Sequence, residues 1–269
     1  MLNSQQLIGL MTMGLFLIGT QPTIAQSTAN TPTPTNHLKP QRIVFQAPPK
    51  DDKPKSTSSG GSRSNLQCPQ DATSTTTSSN QIPIMSLVPP DSNYGLTTAE
   101  HPTFLVYLPQ TSAKQLVLSL MTEDNQLYSQ TLIPIKGEPG IISIKSADSS
   151  PPLKVGKNYQ WGLMLICGEK PSPNDPVITS WVRRVVLPQL QSQHKTTLEQ
   201  TDAYSEQGIW YDAVITLAQI RNTQPNNQDI ANIWTDFLKS AGLEAIRYST
   251  SSIVEVVNCF SRNCCSIKA

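Results

Sequence analysis

The chain has 269 residues, of which 14% are charged, and its formal net charge at neutral pH is +1. A length of this order accommodates one large domain or two of modest size. Because nucleic-acid binding usually requires a cluster of basic residues on one face, this charge balance argues against that class of partner. The 22 prolines are the most unusual feature of the composition, and many of them precede residue 90.

The first 25 residues have the layout of an export signal. An apolar run from Leu7 to Ile18 precedes the small-residue pattern Thr23-Ile24-Ala25, which predicts cleavage after Ala25. The run is short for a membrane span, and no later stretch is long enough to be one. Since the run is not preceded by Lys or Arg, an uncleaved anchor is the alternative. We expect an exported protein of the periplasm, the cell envelope or the extracellular space, without a transmembrane segment after signal removal.

Residues 26–80 predict a disordered linker rich in Pro, Ser and Thr. Segments such as Thr31-Pro-Thr-Pro34 and the Ser/Thr run 73–79 contain too few apolar side chains to bury a core. One apolar island, Arg42-Ile-Val-Phe45, interrupts the linker, and we expect it to make only transient contacts.

Seven β-rich runs between residues 81 and 188 predict a β-sandwich domain. Turn-forming residues separate the runs, and Glu123-Asp-Asn125 between Leu120 and Leu127 predicts a hairpin. Seven short strands in roughly 105 residues are typical of a sandwich. The runs are Ile82 to Val88, Thr103 to Leu108, Gln115 to Thr122, Gln126 to Ile135, Gly140 to Lys145, Asn158 to Cys167 and Val177 to Leu187.

The segment Leu153-Lys-Val-Gly-Lys-Asn-Tyr159 refines this fold class. Leu-x-x-Gly-x-x-Tyr before an alternating strand is how a tyrosine corner enters the penultimate strand of an immunoglobulin-like sandwich. Tyr159, Trp161 and Cys167 share one face because strand side chains alternate with period two. We therefore predict a mainly β fold with α, in which Tyr159 forms the corner and Trp161 lies in the core.

Helical periodicity replaces the strand pattern in residues 189–248. A weakly amphipathic helix from Gln189 to Gln207 is followed by two stripes that include Trp210 and Trp234, both expected in the core. Asn226 or Asn227 can cap the last helix, and Gly242 can end it. A further set keeps the spacing of one tetratricopeptide repeat: Tyr204, Gly208, Trp210, Ala213, Leu217, Ile220 and Pro225. Because a single repeat cannot form a solenoid, we expect a helical hairpin that packs on itself or on the sandwich.

Export makes the five cysteines candidates for disulfide bonds. Cys167 is expected to face the sandwich interior, and Cys68 lies just before its first strand, so this pair is the preferred disulfide. The other three, Cys259, Cys264 and Cys265, lie in a tail of residues 249–269, and the odd total leaves one thiol unpaired or intermolecular. Their spacing lacks the two-plus-two pattern and nearby histidine of a zinc site, so we predict no metal site.

Several signatures, taken in chain order, resemble the cyanobacterial family known as domain of unknown function 928. The resemblance spans roughly residues 60 to 248 and implies an exported protein of unassigned function, with no catalytic residues to carry over. The tail after Tyr248 has no counterpart in the pattern. The signatures are Gly60-Gly-Ser-Arg-Ser, Cys68-Pro, Tyr94 to Phe104, Tyr107-Leu-Pro109, Pro139-Gly-Ile-Ile, Leu153 to Cys167, Trp181-Val-Arg-Arg-Val185, Gly208-Ile-Trp-Tyr-Asp-Ala213 and Trp234 to Leu243.

The sequence predicts no catalytic residue and no cofactor. The three histidines, His37, His101 and His194, lie apart in the sequence, and none has a nucleophile or carboxylate at motif spacing. His101 is the best of them, but a histidine just before a strand is usually structural. The aspartates at predicted turns are expected to bond to the local backbone: Asp91, Asp124, Asp148 and Asp175.

Two residues are candidates for partner binding. Arg183 shares an otherwise apolar strand face with Trp181 and Val185, so it either closes an ion pair or offers its guanidinium to a ligand. Tyr211 should lie off the buried helical stripe that contains Trp210, where it would be exposed for contacts.

The leading functional hypothesis is an exported, non-catalytic binding or scaffold protein of the cell envelope. Its partner would be an unknown protein or envelope component, met by the sandwich loops or by the helices. One alternative is an envelope hydrolase whose acidic residues meet at the sandwich loops. The other is a carbohydrate-binding module, which an aromatic content of 6% supports weakly.

Overall fold

The computed structural model describes residues 42–48, 53–54, 66–72, 82–187, 196–246 and 254–256. The predicted export signal, most of the predicted linker and the three tail cysteines lie outside these residues. All of the described residues belong to one compact unit that begins at Pro40. None of the helices in the described part of the chain is long and apolar enough to cross a membrane.

Two β-sheets form the main layers within the described residues. The four-stranded sheet has the order β1-β3-β6-β9, and the five-stranded sheet has the order β2-β8-β7-β4-β5. The strands are β1 Met85–Ser86, β2 Tyr94–Thr97, β3 Thr103–Leu108, β4 Gln115–Thr122, β5 Leu127–Pro134, β6 Gly140–Lys145, β7 Asn158–Ile166, β8 Val177–Arg184 and β9 Val254–Val256.

The inner faces of the two sheets share a hydrophobic core. Phe104 on β3 stacks on Trp161 on β7 with ring centroids 4.7 Å apart. β7 alternates buried and half-buried positions over most of its length, as the period-two pattern predicts. The fold is therefore mainly β and sandwich-like, and Trp161 lies in its core.

All seven predicted runs contain a strand, and β3, β4 and β6 have the predicted bounds. The predicted hairpin joins β4 and β5, which pair antiparallel. Two strands were missed. β2 pairs in parallel with β8, and β9 pairs in parallel with β6. Both are short, and their partners are distant in sequence, so no local pattern marks them as strands.

Four helices and one 3-10 turn complete the described elements: α1 Pro69–Ala72, α2 Thr197–Glu206, α3 Trp210–Thr223, α4 Gln228–Ser240 and the turn Glu244–Ile246. Thr196 and Glu199 form a capping box at the start of α2. The Asn227 side chain accepts hydrogen bonds from the first backbone N–H groups of α4, and Gly242, with φ of 78°, follows the end of that helix. These two ends match the prediction.

The helices pack on the sheets rather than only on each other. Trp210 stacks on Phe237 of α4 with ring centroids 5.1 Å apart, and its Nε1 donates to the Leu87 carbonyl at 2.7 Å. A Cβ atom at Gly95 on β2 would lie 2.9 Å from the Tyr211 ring and 3.0 Å from Trp210 Cβ. Because real Cβ atoms do not approach this closely, glycine at this position is what lets α3 contact β2.

The apolar island of the predicted linker is an integral part of the fold. Ile43 is fully buried, and the Phe45 ring meets Trp210 edge-on with centroids 4.8 Å apart. The Phe45 N–H donates to Ser240 Oγ at 3.0 Å, and the Gln46 N–H donates to the Ser205 carbonyl at 3.0 Å. The expectation of a transient contact is therefore wrong. This segment binds helices that lie more than 150 residues away in the sequence. The composition of the segment alone does not predict those contacts.

The structure contains the Cys68–Cys167 disulfide, which closes a sequence separation of 99 residues. Cys68 is fully buried, whereas Cys167, directly after β7, is half-buried rather than fully inside. Asp71 of α1 accepts hydrogen bonds from Thr111 Oγ1 at 2.7 Å and from the Ser112 N–H at 2.8 Å. The covalent bond and these hydrogen bonds together attach residues 66–72 to the sandwich.

Replacing both bridge cysteines, Cys68→Ser with Cys167→Ser, should lower the free energy of unfolding by roughly 2–5 kcal/mol, because the open chain regains conformational freedom when it unfolds. Urea denaturation of the oxidised wild type and of the double variant measures this difference. Non-reducing peptide mapping of the wild type should recover the linked Cys68 and Cys167 peptides. Free thiols at both positions, or an unchanged denaturation midpoint, would contradict the structural role.

Candidate functional site

Tyr211 lies inside the molecule, so the prediction that it is exposed for a partner is wrong. Only 2% of it is accessible, and its ring meets Phe104 edge-on. The hydroxyl accepts a hydrogen bond from Trp161 Nε1 at 2.7 Å and donates to the Trp181 carbonyl at 3.0 Å. Burial raises the pKa of this hydroxyl. The helical periodicity predicts one buried side of α3, but α3 contacts both β2 and β3. Two consecutive residues, Trp210 and Tyr211, are therefore buried.

Asp212 anchors the first turn of α3 to the end of β2. Its carboxylate accepts hydrogen bonds from Thr97 Oγ1 at 2.7 Å, from the Thr98 N–H at 3.1 Å and from Thr98 Oγ1. Burial raises the pKa of Asp212, and the hydrogen bonds from Thr98 and Thr97 oppose that shift. A carboxylate with three hydrogen-bond donors acts as a structural anchor. The sequence does not predict this role for Asp212, because its partners Thr97 and Thr98 lie over 100 residues away.

Arg183 is half-buried on β8, opposite Leu96 on β2 and Asn158 on β7. The next residue, Arg184, forms an ion pair with Glu100 at 2.8 Å and donates from Nη1 to the Leu153 carbonyl at 2.9 Å. Arg183 stays a candidate for partner binding.

Two of the aspartates at predicted turns, Asp175 and Asp148, have defined side-chain partners. Asp175 accepts from the Ser172 N–H at 2.8 Å and from the Cys167 N–H at 3.3 Å, as expected for an aspartate in a turn. Asp148 pairs with Lys145 at 2.7 Å, and this ammonium group lowers the pKa of Asp148, with a smaller contribution from His101. Among the described residues, no three His, Cys, Asp or Glu side chains are grouped in a way that could hold a metal ion.

The residues predicted to be structural are buried. The Tyr159 hydroxyl accepts a hydrogen bond from the Lys154 N–H at 3.2 Å, five residues upstream. Trp161, Trp210 and Trp234 are each at most 1% exposed. These aromatic side chains hold the scaffold together and offer no surface to a partner.

A different surface stands out: the outer face of the five-stranded sheet across β5, β4, β7 and the first half of β8. We call it the open face. Adjacent strands bring its residues into register, and none of them is charged. The accessible members are Gln115, Ser119, Met121, Leu127, Gln130, Leu132, Pro134, Gln160, Gly162, Met164, Val177 and Thr179, while Val117 and Ile166 share the same register but are buried.

The open face has an apolar and small-residue centre with charges at its ends. Leu127 and Leu132 are 59% and 53% exposed. One row of cross-strand neighbours is apolar throughout: Leu132, Val117, Met164 and Val177. Lys114 and Lys136 flank one end of the β4–β5 hairpin, and Glu123 and Asp124 form its turn at the other end. An apolar centre with a polar rim is the usual anatomy of a protein interface.

Gly162 lies in the middle of the open face without an internal reason to be glycine. A Cβ atom there would meet Thr179 Cγ2 at 3.6 Å and the Ile178 carbonyl oxygen at 3.8 Å, which are ordinary contacts. Glycine weakens a strand interior, and it often marks a place where a ligand or another backbone approaches closely. The outward positions of β4, β5 and β7 carry no charge in the sequence, but only the strand order shows that they form one continuous surface.

Removing the hydroxyl with Tyr211→Phe should lower the free energy of unfolding by about 1–3 kcal/mol, because the buried Trp161 N–H loses its acceptor. The matched control is Tyr204→Phe, since the Tyr204 hydroxyl accepts a hydrogen bond from the exposed Gln200 side chain rather than from a buried donor. That control should change the value by less than about 0.5 kcal/mol. Equal losses in the two variants, measured by urea denaturation, would argue against a buried network at Tyr211.

The raised pKa of Asp212 predicts a pH dependence with a definite sign. The folded state holds this proton more tightly than the unfolded chain, so the stability of the wild type relative to Asp212→Asn should fall as pH rises through the interval between the ordinary and the raised pKa. Above that interval the difference should be constant. Unfolding free energies of both proteins from about pH 3 to about pH 7 measure it.

Asp148→Asn provides the contrasting control for Asp212. Since Lys145 lowers the pKa of Asp148, the wild type should gain slightly relative to this variant as pH rises. A difference for Asp212→Asn that is flat, or that has the same sign as for Asp148→Asn, would refute the assignment.

One family model matches nearly all of the described helices and strands. A family model described as Domain of Unknown Function (DUF928) matches residues 58–251, a range that contains α1 to α4 and β1 to β8. No curated protein and no solved structure matches the chain. Because the match extends over most of the sequence, the chain belongs to the DUF928 family.

Proposed function

We propose that this protein is an exported, non-catalytic binding or scaffold protein of the cell envelope, and that it contacts a protein partner through the open face. The observation that carries the proposal is the continuous, uncharged surface of four strands, on which Leu127 and Leu132 are more than half exposed. Export rests on the N-terminal sequence pattern, which lies outside the described residues.

A protein partner suits the chemistry of this surface. The water-facing side of an antiparallel sheet usually carries polar side chains, because exposed apolar area is unfavourable in water. A contiguous apolar patch on a folded domain usually marks an interaction site. The open face combines such a patch with a charged rim, so covering it with another protein surface would remove Leu127, Leu132 and Met164 from water without burying a charge.

The engagement of four acidic side chains weighs against the hydrolase alternative. A hydrolytic site needs acidic side chains free to move protons or attack a substrate. Asp212, Asp175 and Asp71 each accept at least two hydrogen bonds from neighbouring backbone or hydroxyl groups, and Glu100 is paired with Arg184.

The burial of the tryptophan side chains weighs against the carbohydrate-binding alternative. Carbohydrate binding through aromatic stacking requires an exposed aromatic side chain. All four tryptophans are at most 7% exposed: Trp161, Trp181, Trp210 and Trp234.

The same proposal includes the finer identity of the scaffold, an immunoglobulin-like sandwich followed by a tetratricopeptide-like hairpin. The upstream hydrogen bond of Tyr159 and the buried Trp161 at the penultimate strand of the predicted sandwich support the first part. Gly208 between α2 and α3, with φ of 72°, and the fully buried Ala213 support the second. Both are common binding scaffolds, although a fold alone does not determine a function.

A photo-crosslinking side chain at position 132 tests the function, with position 186 as the matched control because Val186 is also apolar and is 69% exposed. In cells that express the protein, irradiation should give protein adducts from position 132 and few or none from position 186. Equal yields at both positions, or none at position 132, would contradict binding through the open face. Turnover of an envelope polymer by the purified protein would contradict the non-catalytic part.

A further inference from the structure

We infer that the partner at the open face is a second copy of this chain, packed face to face about a two-fold axis that crosses the strands. This inference rests on the proposed function, because it names the protein that covers the open face. In such a dimer both copies contribute the same surface to the interface.

The charge pattern favours self-pairing in this orientation. The centre of the open face is uncharged, so two copies can be stacked there without placing like charges against each other. An axis that crosses the strands reverses the strand direction between the copies while β5 stays opposite β5. The basic end of one hairpin, with Lys114 and Lys136, then lies over the acidic turn of the other, with Glu123 and Asp124.

The side-chain sizes indicate where the axis runs. The row of cross-strand neighbours at Gly162 is small on β4, β7 and β8, where it contains Ser119, Gly162 and Thr179, and it ends in Gln130 on β5. The rows on either side contain the bulkier Leu132 and Leu127. An axis along the Gly162 row places the small residues against their own copies, where the two sheets approach most closely. It also places Leu132 of one copy over Leu127 of the other, so the two most exposed leucines cover each other.

The size of the face is of the order that a dimer needs. Four strands about 4.8 Å apart and about 25 Å long cover roughly 500 Å² in projection. Accessible area exceeds projected area because side chains stand out from the sheet, which brings the face towards the roughly 800 Å² per partner of a standard interface. A face of this size without a large aromatic anchor predicts a dissociation constant of micromolar order.

Gly162→Val separates association from folding. The position has room for a Cβ atom, and β-branched residues are favoured in strands, so the urea midpoint of the monomer should be unchanged or higher. The added methyl groups would hold the two sheets apart at the axis. Leu132→Glu should also prevent association by placing a charge in the interface, whereas Val186→Glu, which lies beyond the end of β8 and outside the open face, should not.

The measurement is sedimentation equilibrium of the purified protein, as the cell processes it, from about 1 to about 200 μM, a range that brackets the expected dissociation constant. The wild type and Val186→Glu should be dimeric at the upper end, and Gly162→Val and Leu132→Glu should dimerise at least tenfold more weakly. A wild type that is monomeric throughout, or a Gly162→Val variant that dimerises like the wild type, overturns the inference. A monomeric wild type whose position 132 crosslinks to a different protein would leave the proposed function standing, whereas no adduct at position 132 would remove both.

The orientation has its own test by charge exchange. Lys114→Glu with Lys136→Glu should weaken the dimer about tenfold at low salt, because two acidic ends then face each other. Adding Glu123→Lys and Asp124→Lys to the same chain should restore the dimer, since the reversed ends are again complementary. Failure of the second pair to restore association would overturn the strand-crossing axis.

Discussion

The rest of the structure depends on the insertion of the first turn of α3 between the two sheets. Trp210, Tyr211 and Asp212 each reach a different partner there: a carbonyl before β2, the core Trp161, and the threonines at the end of β2. Gly95 makes the close approach possible because it has no side chain in the way. This one turn therefore converts a two-layer sandwich and a set of helices into a single packed unit.

The insertion also explains why the helices offer little for binding. The aromatic residues that could have formed a contact surface are used to join the helices to the sheets, and the Phe45 segment covers Trp210 further. The side chains on the water-facing side of α4 are polar, for example Asp229, Asn232 and Asp236. Leu127 and Leu132, each more than half exposed, lie instead on β5 of the five-stranded sheet.

The two faces of the five-stranded sheet illustrate different physical demands. The inner face is apolar because it excludes water from the core, and the stack of Phe104 on Trp161 lies there. The outer face is not required to be uncharged by anything within the described chain. Gly162 shows this most directly, since a larger residue would fit within the monomer. The open face is therefore more apolar than the fold of the monomer requires. This excess is the physical basis for proposing that the face binds a protein and that the protein is a second copy of the chain.

The sequence by itself determined the local elements: the β-rich runs, the hairpin at Asn125, the cap at Asn227 and the end of the last helix at Gly242. These follow from short-range rules of alternation, turn chemistry and capping, which act within a few residues. The pairing of Cys68 with Cys167 was also predicted, because strand alternation turns Cys167 towards the interior and Cys68 lies just before the first predicted strand.

Only the tertiary structure decided the burial of Tyr211, the docking of Ile43 and Phe45, the pairing of β2 and β9, and the continuity of the open face. Each depends on contacts between residues far apart in the chain. Local periodicity reports which side of an element is apolar, but it does not report how many neighbours that element has or which strands lie side by side. That is why the sequence predicted most local elements and placed Tyr211 outside the core, where the structure buries it.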